Sequence, residues 1–294
     1  MPFNRWEAKD DYSYAFRLFS KHHTYMNSIY WAHVPATNNV QYQCRKHLKA
    51  TPIPKTQTAF NLSGKNSHRV ADDLKDYSDH LKDFDNWTRL NSLVSVLSYF
   101  EIYLSTVVSL AIESDLGLIH SVPKKIDGVM VLKHSSEDSY SFFDKSQLVT
   151  KGTWPQRVNH FLALFHLAPI SLGSNIAELE KMRKLRNSVA HAFGRDIDKT
   201  RSRHTLEILP IERLSEERLM RYMELIMKIA KDIDKQLLER HIGEFELIHF
   251  YHNVKADLDP TNPVKSLKTK INGLYVENKS IEYCKELIKL YEYV

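Results

Sequence analysis

Apolar positions recur at three- and four-residue spacing along most of this chain, and that period predicts helices. Val70, Leu74, Tyr77, Leu81 and Phe84 mark one amphipathic helix, which either breaks at Asp83-Phe84-Asp85-Asn86 or runs on. A long helix follows over about 86–114, stopped by Gly117. Its main stripe is Trp87, Leu90, Val94, Leu97, Leu104 and Val108. Val96, Phe100 and Val107 are apolar on another side, and Ser92, Ser95, Ser98, Ser105 and Ser109 make a small-residue face. A helix apolar on most sides is either the buried centre of a fold or a surface for a second copy of the chain.

Thr153 with Pro155 opens a further helix over 158–167, closed by Pro169. Ser215 caps a long one with the stripe Leu219, Met223, Ile226, Ala230, Ile233 and Leu237, ended by Gly243. Beyond Asp257-Leu258-Asp259-Pro260 the tail holds a helix near 264–271 and another over 280–293. At the other end, residues 7–31 are rich in aromatics and form a helix that ends before Pro35. Residues 34–68 read as loop or linker, with Arg45, Lys46, Lys49, Lys55 and Lys65 either solvated or set against a nucleic-acid backbone. Two stretches leave the helical period. Within 122–150, Asp127-Gly128 before Val129-Met130-Val131-Leu132, then Tyr140-Ser141-Phe142-Phe143, reads as a small hairpin or irregular insertion. His204-Thr205-Leu206-Glu207-Ile208-Leu209 alternates like a short strand able to pair with it.

Composition agrees with a mainly α fold, since 294 residues carry only 8 Gly and 10 Pro. Lys and Arg number 41 against 36 Asp and Glu, a net charge of +5 that permits nucleic-acid binding without demanding it. Cys44 and Cys284 form no motif, which suits a reducing, cytoplasmic setting, and no signal peptide precedes the first helix. Residues 93–112 are long enough to span a bilayer and carry one charge, Glu101. Four Ser, one Thr, two Tyr and that mid-depth carboxylate argue against it, the carboxylate alone costing roughly 2.5–3.5 kcal/mol on insertion scales. Inside an apolar stripe Glu101 needs a partner. Either a buried Arg or a Tyr hydroxyl pairs it structurally, or it orients a functional group on a neighbouring helix. The adjacent His22-His23 diverge by about 100° on a helix and have no companion ligands, so they read as surface.

The stretch with the most chemistry is Arg186-Asn187-Ser188-Val189-Ala190-His191. Asn175 with Glu178 starts its helix and Gly194 lies past its end. Met182, Leu185, Val189 and Phe193 fall on one stripe; Asn187 and His191 fall opposite, with Arg183 beside them and Arg186 at the border. The face is either a solvated helix end or a phosphate site, because Arg offers a planar fork of donors to a phosphodiester and His moves protons near neutral pH. A helix C-terminus favours imidazolium, which suits a general acid or an electrostatic clamp.

An Arg, a polar residue and a His five positions after the Arg, on a late helix of a helical domain, resembles the signature of HEPN ribonucleases. The order of long helix, short helix, motif helix and long helix is similar to the HEPN four-helix bundle over 84–243. On that resemblance residues 1–83 are an N-terminal helical and loop extension, 84–243 the bundle interrupted by the hairpin-like insertion at 122–150, and 244–294 a C-terminal helical extension. The resemblance implies a cofactor- and metal-independent endoribonuclease, dimeric, with two motif helices building one composite site. Arg186, Asn187 and His191 would be catalytic, with Glu101 and Arg183 supporting. It also implies an RNA substrate, a role as toxin or phage-defence effector, and control by an antitoxin or other regulatory protein, with no membrane involved. The alternative is a HEPN-like module that binds RNA or a partner without cutting.

Overall fold

The computed structural model describes residues 3–134, 142–201, 208–274 and 278–294. These residues are mainly helical. In chain order the α-helices are α1 (Tyr14–His47), α2 (Thr56–Ala59), α3 (Leu74–Ser114), α4 (Gly128–His134), α5 (Phe143–Gln147), α6 (Trp154–Phe165), α7 (Ile170–Ser174), α8 (Ile176–Ala192), α9 (Ile197–Arg201), α10 (Glu216–Leu237), α11 (Phe245–Val254), α12 (Pro263–Asn272) and α13 (Ile281–Tyr293). A π-helical turn, Leu238–Ile242, follows α10. The chain forms two units, the first of residues 1–21, 98–181 and 225–294, the second of 22–97 and 182–224.

In the first unit α1 starts on buried carboxylates. Asp234 accepts the Ser13 amide at 2.9 Å and the Ser13 hydroxyl, and Glu246 accepts the Tyr14 amide at 2.9 Å. Helix N-termini present unsatisfied N–H groups and a positive dipole end, so two carboxylates there answer both needs. Phe16, Phe19, Phe100, Tyr103 and Trp154 pack around this start, with ring centroids 5.2–6.4 Å apart in the pairs that meet. Arg5, 4% exposed, ties the N-terminal segment to the end of α3. It donates to the Ser114 carbonyl at 2.7 Å and to Asp127 at 2.6 Å, and stacks on Trp6. Gly243, at φ +55°, passes so close to Arg5 that a Cβ would lie 2.1 Å from its carbonyl oxygen.

In the second unit the first half of α3 braces an extended segment. The Asn86 amide donates to the Glu212 carbonyl and accepts the Leu214 amide, both at 2.9 Å, while Arg89 donates to the Leu214 carbonyl at 2.6 Å. Tyr30 on α1 donates to Glu216 at 2.9 Å, and the His23 ring meets the Met223 carbonyl at 3.0 Å.

The apolar stripe of α10 is buried as its spacing predicts, from Leu219 through Ile226 and Ile233 to Leu237, and Ser215 accepts the Arg218 amide at its start. α3 is buried on several sides, Phe100, Val107, Val108 and Ile112 having no exposure. It is long and apolar enough to cross a membrane by length and composition, and 44% of its most apolar stretch is buried inside the protein.

Several expectations fail for identifiable reasons. Of the two readings of 122–150, the hairpin finds no strand among the described residues, and Asp127-Gly128 opens α4 instead. Asp127 accepts the Val129 amide at 2.9 Å, the bond of a helix cap, and Gly128 sits where a Cβ would strike the Glu113 carbonyl. Tyr140 and Ser141 lie outside the described residues, as do residues 204–207 of the expected strand, and Ile208 and Leu209 have no regular structure. α1 runs through Pro35 to His47, taking part of the expected 34–68 loop. Pro35 is on the exposed face, where water can satisfy the carbonyl that its missing N–H leaves unbonded. At residues 83–86, where the sequence left a break or a continuous helix open, the helix runs on: Asp85 is held by Arg89 one turn on and Asn86 is occupied with the brace.

Candidate functional site

The motif lies on α8. Leu179 and Met182 have no exposure and Leu185 has 3%, so this row fixes the helix's inward side. The Ser188 hydroxyl turns back to the Leu185 carbonyl at 2.8 Å and is buried with it. Arg183, Arg186 and Asn187 are half-buried and His191 is exposed. Nη1 of Arg186 donates to Oδ1 of Asn187 at 3.3 Å, which joins the guanidinium to the amide one turn before the imidazole. The His191 ring has no hydrogen-bond partner among the described residues.

The helix ends in a left-handed pair, Phe193 at φ +53° and Gly194 at φ +77°. The Gly194 amide returns to the Ser188 carbonyl at 2.9 Å, and its carbonyl accepts the Glu212 amide at 2.7 Å. Arg195 donates to the Leu209 carbonyl at 2.7 Å and sits over the Phe193 ring. The helix end is therefore clamped to the 208–214 segment, which Asn86 and Arg89 hold in turn. Phe193, placed by spacing on the buried stripe, is instead 54% exposed, because the left-handed turn begins there and carries its ring off the helical row. The left-handed conformation costs an ordinary residue about 1–2 kcal/mol, and the bonds around Gly194 offset it.

Of the five residues singled out from sequence, Arg183, Arg186, Asn187 and His191 share α8 within the second unit. Glu101 belongs to the first unit, where Nη1 of Arg157 donates to it at 2.9 Å. A buried arginine is thus the partner its apolar setting required. Among the described residues no group of three or more His, Cys, Asp or Glu side chains could hold a metal ion. Cys44 and Cys284 are buried and free, and burial raises both thiols.

Sequence reasoning missed the 193–195 turn with its brace, and the buried acids Asp234 and Glu246. The signal for Asp234 was present: it follows Ala230 by four on the apolar row of α10. No protein-family model, curated protein or solved structure matches the chain.

Proposed function

We propose that this chain is a metal-independent, HEPN-type endoribonuclease. The observation that carries the reading is an exposed imidazole, His191, one turn beyond a guanidinium and amide already joined, Arg186 to Asn187. The helix order α3, α6, α8, α10, with the motif on the third, supports it.

In this mechanism RNA supplies its own nucleophile. The 2′-oxygen attacks phosphorus, the bond to the 5′-oxygen breaks, and the 2′ proton passes to a base. His191 as imidazolium donates a proton to the departing 5′-oxygen, while Arg186 holds the charge gathering on the phosphorane. Asn187 holds Arg186 in place, and Arg183 adds positive charge beside them. The products are a 2′,3′-cyclic phosphate and a 5′-hydroxyl. A two-fold axis beside α8 would bring two imidazoles into one groove, so that one serves as base and the other as acid. A cytoplasmic toxin or phage-defence role under a regulatory partner follows from the HEPN resemblance.

A second reading, RNA or protein binding without cleavage, is favoured by one feature. Along the last turns of α8, Arg183, Asn187 and His191 bring a single imidazole, too few for acid and base in one chain. Labelled RNA incubated in EDTA with wild type and His191→Ala separates the two. Cleavage lost with the imidazole supports the nuclease, whereas binding without cleavage by both proteins supports the module.

A further inference from the structure

A cleft of 580 Å³ opens in the first unit, lined by the start of α1, the second half of α3, the π-helical turn and α11. Leu18, Leu110, Leu247 and Phe250 give it apolar walls. Its lining also holds four carboxylates, Asp10, Glu113, Glu244 and Glu246, and neither lysine nor arginine. A concave site of this size with apolar walls and few polar groups is the usual form of a small-molecule pocket, and its charge is one-signed.

Three of the carboxylates already have work inside the protein. Asp10 pairs with Lys279 at 2.8 Å, Glu244 accepts the Lys9 amide and the Tyr283 hydroxyl, and Glu246 caps α1 through the Tyr14 amide. Glu113 differs, having no hydrogen bond or ion pair among the described residues. Withdrawal from water without a partner pushes its carboxyl up to about 7. His249 also lines the cleft, and burial disfavours its protonated form, so it brings no opposing charge at neutral pH. The site therefore lacks one thing, a cation beside Glu113 carried on an apolar body.

We propose that this cleft binds a small organic amine, its hydrocarbon part against Leu18, Leu110, Leu247 and Phe250 and its ammonium against Glu113. The inference is independent of the nuclease reading, since none of these residues takes part in it.

Isothermal titration of the full chain with octylamine, octanol and octanoate at pH 8 tests the proposal. These probes share a hydrocarbon body and differ in the charge of the head. Octylamine should bind one to one, octanol more weakly and octanoate not at all. Glu113→Gln should lower octylamine affinity about 10- to 100-fold, toward that of octanol. Ser109→Trp, filling the cleft from the α3 side, should abolish binding of both. Absent saturable octylamine binding, octanoate binding as tightly as the amine, or an unchanged affinity in folded Glu113→Gln would each overturn it. Should Glu113→Gln not fold, the three-probe comparison on the wild type still decides.

Discussion

Arg157 donates to Glu101 at 2.9 Å, and this pair lets a carboxylate stand within the most apolar stretch of the chain. Arg157 is 6% exposed, also donates to the Gly152 carbonyl, and lies over the Trp154 ring. Removing it takes a cationic partner from Glu101 and opens a gap beside Trp154. Arg157→Ala should destabilise by about 3 kcal/mol and Glu101→Gln, which keeps an accepting oxygen, by about 1–2 kcal/mol, read from urea unfolding. RNA cleavage per folded molecule should survive Glu101→Gln. A specific loss of turnover with stability intact would return Glu101 to a role in the site.

The buried acids make stability depend on pH in a definite direction. Desolvation raises Glu113 and Glu246 to about 7 from 4.5, and Asp234 to about 6 from 3.8. Between the unfolded and folded values the native state binds more protons than the unfolded chain, so stability falls as pH rises. The contribution is complete below about pH 4 and is lost by about pH 7, through the window these values bound. Glu113→Gln, which forfeits no hydrogen bond, should flatten part of that fall. Tm measured from pH 5 to 8 checks it, and a wild-type Tm that rises over Glu113→Gln as pH increases would contradict the assignment.

Gly243 and Gly64 separate two costs of adding a methyl group. Both have positive φ, +55° and +106°, but a Cβ at Gly243 meets the Arg5 carbonyl oxygen at 2.1 Å and one at Gly64 meets nothing within 4 Å. Gly64→Ala should cost about 1 kcal/mol or somewhat more from backbone strain alone. Gly243→Ala must also displace the Arg5 backbone and should exceed about 3 kcal/mol. Comparable unfolding midpoints for the two variants would show that the N-terminal segment yields freely.

Asn86 satisfies two backbone groups of the segment that clamps the end of α8. Asn86→Ala leaves the Glu212 carbonyl and the Leu214 amide to find new partners, a loss of about 2–3 kcal/mol. Hydrogen exchange at Leu214 should accelerate with it. Unchanged protection there would mean the brace is held by Arg89 alone.

The helices were legible where one face is apolar and the other polar. The α10 stripe, the limits of α8 and the tail helices near 264–271 and 280–293 came from spacing and caps. The failures share a cause, that local signals were overruled by contacts distant in sequence. Asp127-Gly128 has the composition of a hairpin turn, but Arg5, 122 residues away, and the close pass by Glu113 make it a helix start. Pro35 would end a helix whose carbonyls were buried, and it sits where they are wet. α11 went unread because it begins just past Gly243, the stop assigned to α10. At the site, the grouping of Arg183, Arg186, Asn187 and His191 was visible from the helical period. The partner of Glu101 was not, since no spacing links residues 101 and 157.

Cleavage of RNA by the purified chain in EDTA is the most direct test of the proposed activity. Wild type should cut a mixed-sequence RNA to fragments ending in 2′,3′-cyclic phosphate and 5′-hydroxyl and leave the matching DNA whole. His191→Ala should lose about 10²- to 10⁴-fold in rate, with stability within about 0.5 kcal/mol of wild type because the side chain is exposed. An RNA left intact by wild type, or cut equally fast by His191→Ala, would contradict the account.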